Sequence, residues 1–211
     1  MKHLIATIAV AAVFTTSASV RAAILPFDLL GKAGSGLLPG NENGTISGLP
    51  GTGGERGLGI LFNDATLVLS IDIGWGSGNG FTDLSSSVSA GHIHGPTTAG
   101  GTASFTQDAG VAIGLNTLGG WNSSRTAGGF TGDVTLTSTQ AAQLLEGRFY
   151  INVHTSTNGG GEIRGNLVVV PEPSSLMLLG AGLVLTARRR RLSSVVPHAT
   201  RPSLPVEREY V

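Results

Sequence analysis

Residues 148–169, RFYINVHTSTNGGGEIRGNLVV, decide the fold. Successive side chains of a strand point to opposite faces. Phe149, Ile151 and Val153 therefore share one face, and Tyr150, Asn152 and His154 share the other. Beyond the glycine run 159–161, Glu162, Arg164 and Asn166 share a face opposite Ile163 and Leu167. Two alternating segments around a Gly-rich loop predict an antiparallel hairpin with one apolar face. If the hairpin is symmetric, His154 lies across from Glu162 and Asn152 across from Arg164, with Cβ atoms ~5 Å apart. That forms a polar row beside an apolar core face.

Working outward, the same period recurs. Gly59 to Phe62 and Ala65 to Ile73 predict two strands joined by an Asn63-Asp64 turn, with Leu67, Leu69, Ile71 and Ile73 on one face. Val88–His94, Ile113–Leu115 and Phe130–Leu136 are further strand candidates. Residues 23–57 are Gly-rich and predict one or two edge strands. A single helix is expected at about 137–146. Thr137 and Gln140 form a capping box, Ala141, Leu144 and Leu145 an apolar stripe, and Gly147 a C-terminal cap. Many short strands with Gly-rich turns predict a mainly β fold, an antiparallel β-sandwich or a small Greek-key-like barrel.

Composition supports this reading. Of the 33 glycines, 31 fall within residues 23–170, which excludes a mainly helical domain. The chain has no cysteine, so its core must hold without disulfides. The formal charge is zero overall, but residues 23–170 carry five Lys/Arg against ten Asp/Glu. A mildly acidic domain offers no footprint for nucleic acid.

The ends read as addresses. Residues 1–22 predict a signal peptide: Lys2, an apolar run from Leu4 to Phe14, and a small-residue cleavage pattern, Val20-Arg21-Ala22. A β-domain is expected over 23–169. Pro171-Glu172-Pro173 then stop the last strand. The apolar run Ser174–Ala187 predicts a hydrophobic helix spanning ~21 Å, short of a ~30 Å bilayer core. Arg188-Arg189-Arg190-Arg191 would stay on the cytoplasmic side. Residues 192–211, with mixed charge and no periodicity, read as a disordered tail.

Segment 170–191 resembles the PEP-CTERM sorting signal of Gram-negative bacteria. The resemblance implies processing by an exosortase-like protease, with signal peptidase acting at the other end. It also implies transient anchoring in the inner membrane before release to the periplasm, the cell surface or the extracellular matrix. A producer of surface polysaccharide or matrix is implied as well. Gly91-His92-Ile93-His94-Gly95-Pro96, Asn152-Val153-His154-Thr155 and Gly161-Glu162-Ile163-Arg164-Gly165 resemble the CHRD (chordin) domain, most strongly over 88–168. That family implies a β-sandwich-like fold and does not imply an activity.

The candidate chemistry is histidine. Of five histidines, three lie in the domain, His92, His94 and His154, and all fall in these motifs. His92 and His94 share a strand face. One reading is a metal site for Zn²⁺ or Cu²⁺, with these three as ligands and Glu162 as ligand or orienting group. The other is structural: the histidines join Asn152, Arg164 and Glu162 in a hydrogen-bonded polar row. No Gly-x-Ser-x-Gly elbow, cysteine nucleophile or phosphate loop is present. Asp64 with Asp72, or Glu146 with Glu162, could pair as carboxylates. Trp75 and Trp121 could stack on sugars or seal the core. The favoured expectation is a non-catalytic binding or structural domain without cofactor, whose partner is a surface polysaccharide or matrix protein. The competing one is a metalloprotein or metalloenzyme.

Overall fold

A computed structural model describes residues 23–40, 42 and 44–171 of the 211. The signal segment, the apolar run, the arginine cluster and the tail lie outside the described residues. Among the described residues, no helix is long and apolar enough to cross a membrane.

Eleven strands form one curled, wholly antiparallel sheet. In chain order they are β1 (Ile24–Gly31), β2 (Gly34–Ser35), β3 (Leu38–Pro39), β4 (Gly53–Asn63), β5 (Val68–Trp75), β6 (Val88–His94), β7 (Val111–Gly114), β8 (Trp121–Asn122), β9 (Gly128–Thr135), β10 (Tyr150–Thr155) and β11 (Ile163–Val169). Their spatial order is β7-β6-β10-β11-β1-β4-β5-β9-β8, with β2 on β1 and β3 on β11. One helix, α1 (Ser138–Leu145), packs beside β11.

The predicted strand periods appear as burial. Leu69, Ile71 and Ile73 of β5 are buried, as are Ile151 and Val153 of β10 and Ile163 and Leu167 of β11. They share one core with Phe27, Leu29, Ile60, Phe62 and Phe130. Each such side chain contributes roughly 1.5–3 kcal/mol on full burial. The capping box forms as read, since Thr137 and Gln140 each accept from the other's backbone N–H. Gly147 follows the helix at φ +70°, a left-handed turn that favours glycine, and its N–H donates to Leu144 O at 2.9 Å.

Two expectations change. The β4–β5 turn runs through Leu67, which has φ +57°, so β5 starts at Val68 rather than Ala65. Asn63 drives that turn: its side-chain oxygen accepts from Ala65 N at 3.0 Å and Thr66 N at 3.1 Å. The edge strand expected before residue 57 is instead central, because β1 lies between β11 and β4. Alternate burial of Phe27 and Leu29 holds it there. Pro26, a residue usually confined to edges, is accommodated near its start.

Candidate metal centre

Strands β6 and β10 bring the histidines together. Their register pairs His94 with Tyr150, His92 with Asn152, and Ala90 with His154. Side chains of one parity on each strand therefore meet on one face, turned away from Ile93, Ile151 and Val153. Segments around Glu42, Ser104 to Ala109, and Gly159-Gly160 fold over that face, so His94 and His154 are buried and His92 is half-buried. The imidazole centroids lie 4.8 to 5.6 Å apart. One nitrogen from each ring lies within 4.8 Å of the other two.

The surroundings assign the tautomers. His154 Nδ1 is 2.9 Å from Gly159 O, a pure acceptor, so Nδ1 carries the proton and Nε2 is a free lone pair. His92 Nδ1 lies 3.1 Å from that Nε2 and donates to it. His94 Nδ1 donates to Ala109 O at 2.9 Å, and Glu42 Oε1 lies 3.1 Å from the same nitrogen. Among the described residues, the His94 Nε2 lone pair is then buried without a hydrogen-bond partner. Leaving such a group unmade costs roughly 1–3 kcal/mol. Burial, followed by the neighbouring His154 and His94, pushes His92 down to about 4. His154 is also held below the usual imidazole value, chiefly by burial. Both rings are therefore neutral at neutral pH, the form that ligates metal.

The residues present fit a transition-metal ion. Two imidazole nitrogens on a tetrahedral ion with ~2.1 Å bonds stand about 3.4 Å apart. The His92–His154 nitrogen pair, at 3.1 Å, needs little widening. Backbone carbonyls behind His94 and His154 provide the outer contacts that hold a ligating ring in one tautomer. A wider brace surrounds them. The Tyr150 ring stacks on His94 at 5.1 Å and 14°. The Tyr150 hydroxyl accepts from Ala109 N at 2.9 Å and donates to Glu42. The Arg164 guanidinium carbon lies 3.5 Å from the Tyr150 ring centroid.

Glu162 is not part of this cluster, which corrects the sequence expectation. It precedes β11, and its N–H does bond Val153 O at 2.7 Å. Gly161 has φ +105°, however, and a Cβ there would come 2.1 Å from Asn152 Oδ1. This turn breaks the strand alternation and sends the Glu162 carboxylate to the opposite side. There it accepts from Gly51 N, Ser85 N, Thr155 Oγ1 and Asn158 Nδ2. A carboxylate surrounded by donors has no room for a cation.

Asn152 does lie across from Arg164. Arg164, though, reaches away from the histidines to Asp108 at 3.1 Å and to Ser104 O and Gln107 O. Asn152 is buried and donates to Gly160 O at 3.3 Å. The imagined carboxylate pairs do not form. Asp72 meets Arg56 at 3.0 Å and Glu146 meets Arg148 at 3.2 Å. Trp75 is fully buried at the end of β5, 5.1 Å from Trp121, and so offers no sugar platform. Sequence reasoning missed Glu42, which arrives from 108 residues before Tyr150 within a Gly-rich stretch that carries no local signal. It also missed the carbonyls of Ala109 and Gly159, which no sequence pattern reveals.

A family model for the CHRD domain matches residues 40–167, and one for the PEP-CTERM protein-sorting motif matches 169–191. No curated protein and no solved structure matches the chain. The first match contains both histidine strands and the whole β10–β11 hairpin. The second contains Pro171, Glu172, Pro173 and the four arginines. With more than half of its length under the first model, the chain belongs to the CHRD domain family, and its second motif marks it as an exported protein sorted through an exosortase.

Proposed function

We propose that this domain is a non-catalytic metal-binding module on the surface of a Gram-negative bacterium. Its ion is Zn²⁺ or Cu²⁺, held by His94 Nε2, His154 Nε2 and His92 Nδ1, the last after its proton shifts to Nε2 and the His92–His154 hydrogen bond is given up. One observation carries the reading: the buried Nε2 of His94, without a partner among the described residues, in a ring whose other nitrogen is already committed. Soft-to-borderline imidazole donors favour these ions over Mg²⁺ or Ca²⁺. Burial of two of the three rings beneath loops supports holding an ion rather than turning over a substrate. Glu42 supports His94 from behind as a positioning carboxylate, and Tyr150 ties that carboxylate in place. The sorting motif supports surface polysaccharide or matrix protein as the macromolecular surroundings.

Elemental analysis and Zn²⁺ titration of the detergent-solubilised full chain test this reading. One ion per chain is expected, lost in the H92A/H94A double variant. Metal-free wild type that takes up no ion would overturn the proposal. The E42Q variant keeps the shape of the contact to His94 and removes its charge. It is expected to retain one ion per chain with roughly 10- to 100-fold weaker affinity.

A second reading rests on the hydrogen bond from His92 to His154, which joins β6 to β10 without any ion. It is favoured if H92A destabilises the chelator-treated protein as much as the metal-loaded one.

A further inference from the structure

Ala23 is clasped from both sides. Its backbone nitrogen donates to Asp64 Oδ1 at 2.8 Å, and Asp64 N donates back to Ala23 O at 3.2 Å. β1 begins one residue later, and Ile24 pairs with Asn63, the residue before Asp64. The clasp therefore sits where the central strand enters the sheet. The Asp64 carboxylate thus already lies at the one backbone nitrogen that would carry a charge if the chain began at Ala23.

The sequence just before it, Val20-Arg21-Ala22, has small residues where a signal-peptide-cleaving enzyme reads them. We infer that the chain is cut between Ala22 and Ala23 and that Asp64 is the receptor for the new amino terminus. The step is a hydrolysis. Water adds across the Ala22–Ala23 amide, the C–N bond breaks, Ala22 leaves as a carboxylate, and the Ala23 nitrogen takes up protons to become an ammonium. A hydrogen bond from an amide to a carboxylate then becomes an ion pair between an ammonium and that carboxylate at the same place.

Geometry selects this bond over its neighbours. Cleavage one residue later would remove Ala23 and with it both hydrogen bonds to Asp64. Cleavage one residue earlier would leave Ala23 an ordinary amide with the charge displaced onto Ala22. Only a chain beginning at Ala23 places an ammonium within 2.8 Å of the carboxylate. This inference is independent of the histidine centre.

Protein recovered from an exporting bacterial host provides the test. Its amino-terminal sequence is expected to begin Ala23-Ile24-Leu25. The chain has two lysines, Lys2 and Lys32, and only Lys32 remains after the cut. Acylation with a limiting amine-reactive ester at neutral pH, read by mass spectrometry, then compares the α-amine with Lys32 inside one molecule. The D64N variant keeps the backbone half of the clasp and removes the charge. It is expected to raise α-amine labelling relative to Lys32 by roughly tenfold, as a one-unit change in amine pKa would. A mature chain starting elsewhere, or a labelling ratio unchanged in D64N, overturns the assignment.

Discussion

Replacing Glu162 with Ala is expected to cost about 3–5 kcal/mol of folding stability, measured by urea unfolding. The side chain is fully buried. It accepts from Gly51 N at 2.8 Å, Ser85 N at 2.7 Å, Thr155 Oγ1 at 2.8 Å and Asn158 Nδ2 at 3.3 Å, and from the Ser85 hydroxyl. One carboxylate thus joins the loop before β4, the segment before β6 and the β10–β11 turn. Removing it strands several donors at once, each worth roughly 1–3 kcal/mol when buried and unmade. The contributions do not add fully, because some donors would find water in the space left behind. The milder E162Q variant keeps the volume but turns an NH₂ toward donors, and should lose about 2 kcal/mol.

The same residue sets an acid dependence. Burial alone would raise its carboxyl pKa, but the bonds from Ser85, Gly51 and Thr155 outweigh burial and hold it below the ordinary 4.5. A group whose folded value is depressed contributes stability above its unfolded value and loses it as pH falls through the folded value. Glu162 should therefore stabilise fully above about pH 4.5 and progressively less below it. The urea midpoint of the wild type should drop over that acid range, and the drop should be shallower in E162Q. Identical acid slopes in the two proteins would contradict the assignment.

The W75A variant is expected to lose a comparable amount, about 3–5 kcal/mol, read by thermal or denaturant unfolding. Trp75 is fully buried, its ring lies against Trp121, and its Nε1 donates to Ser124 O at 2.8 Å. Truncation leaves a cavity that the sheet cannot collapse to fill, plus an unpaired carbonyl. W75F fills most of that space and should lose about 1–2 kcal/mol, mainly through the missing hydrogen bond. Trp121, against which Trp75 packs, lies on Gly91 of β6, on the face of the sheet opposite His92. A W75A protein of wild-type stability would mean that the Trp75–Trp121 contact packs nothing of consequence.

Local chemistry was legible in the sequence wherever one segment carried the whole signal. The alternation of β5, β10 and β11, the Thr137–Gln140 box and the glycine after the helix all depend on neighbours within a few residues. The pairing of Asn152 with Arg164 followed from hairpin symmetry alone. Glu162 did not, because one glycine in a left-handed turn shifted the face on which its side chain emerges. Strand placement was also illegible. β1 looks like an edge in isolation because it lies in the Gly-rich stretch 23–57, and only its two long-range partners make it central. His92 and His94 could be shown to share a strand face, but not to meet His154 at a point. That depends on the β6–β10 register, and their tautomers depend on carbonyls of two loops.

The adjacency of β1 and β11 has a kinetic consequence. Phe27 pairs with Val169, so the first strand of the domain waits for the last before the middle of the sheet can close. Contacts this distant along the chain are slow to form, because the loop entropy is spent before any pairing rewards it. A chain threading amino-terminus first through a membrane cannot complete its sheet until residue 169 has emerged, where the sorting motif starts. Late closure leaves completion of the sheet to the far side of the membrane.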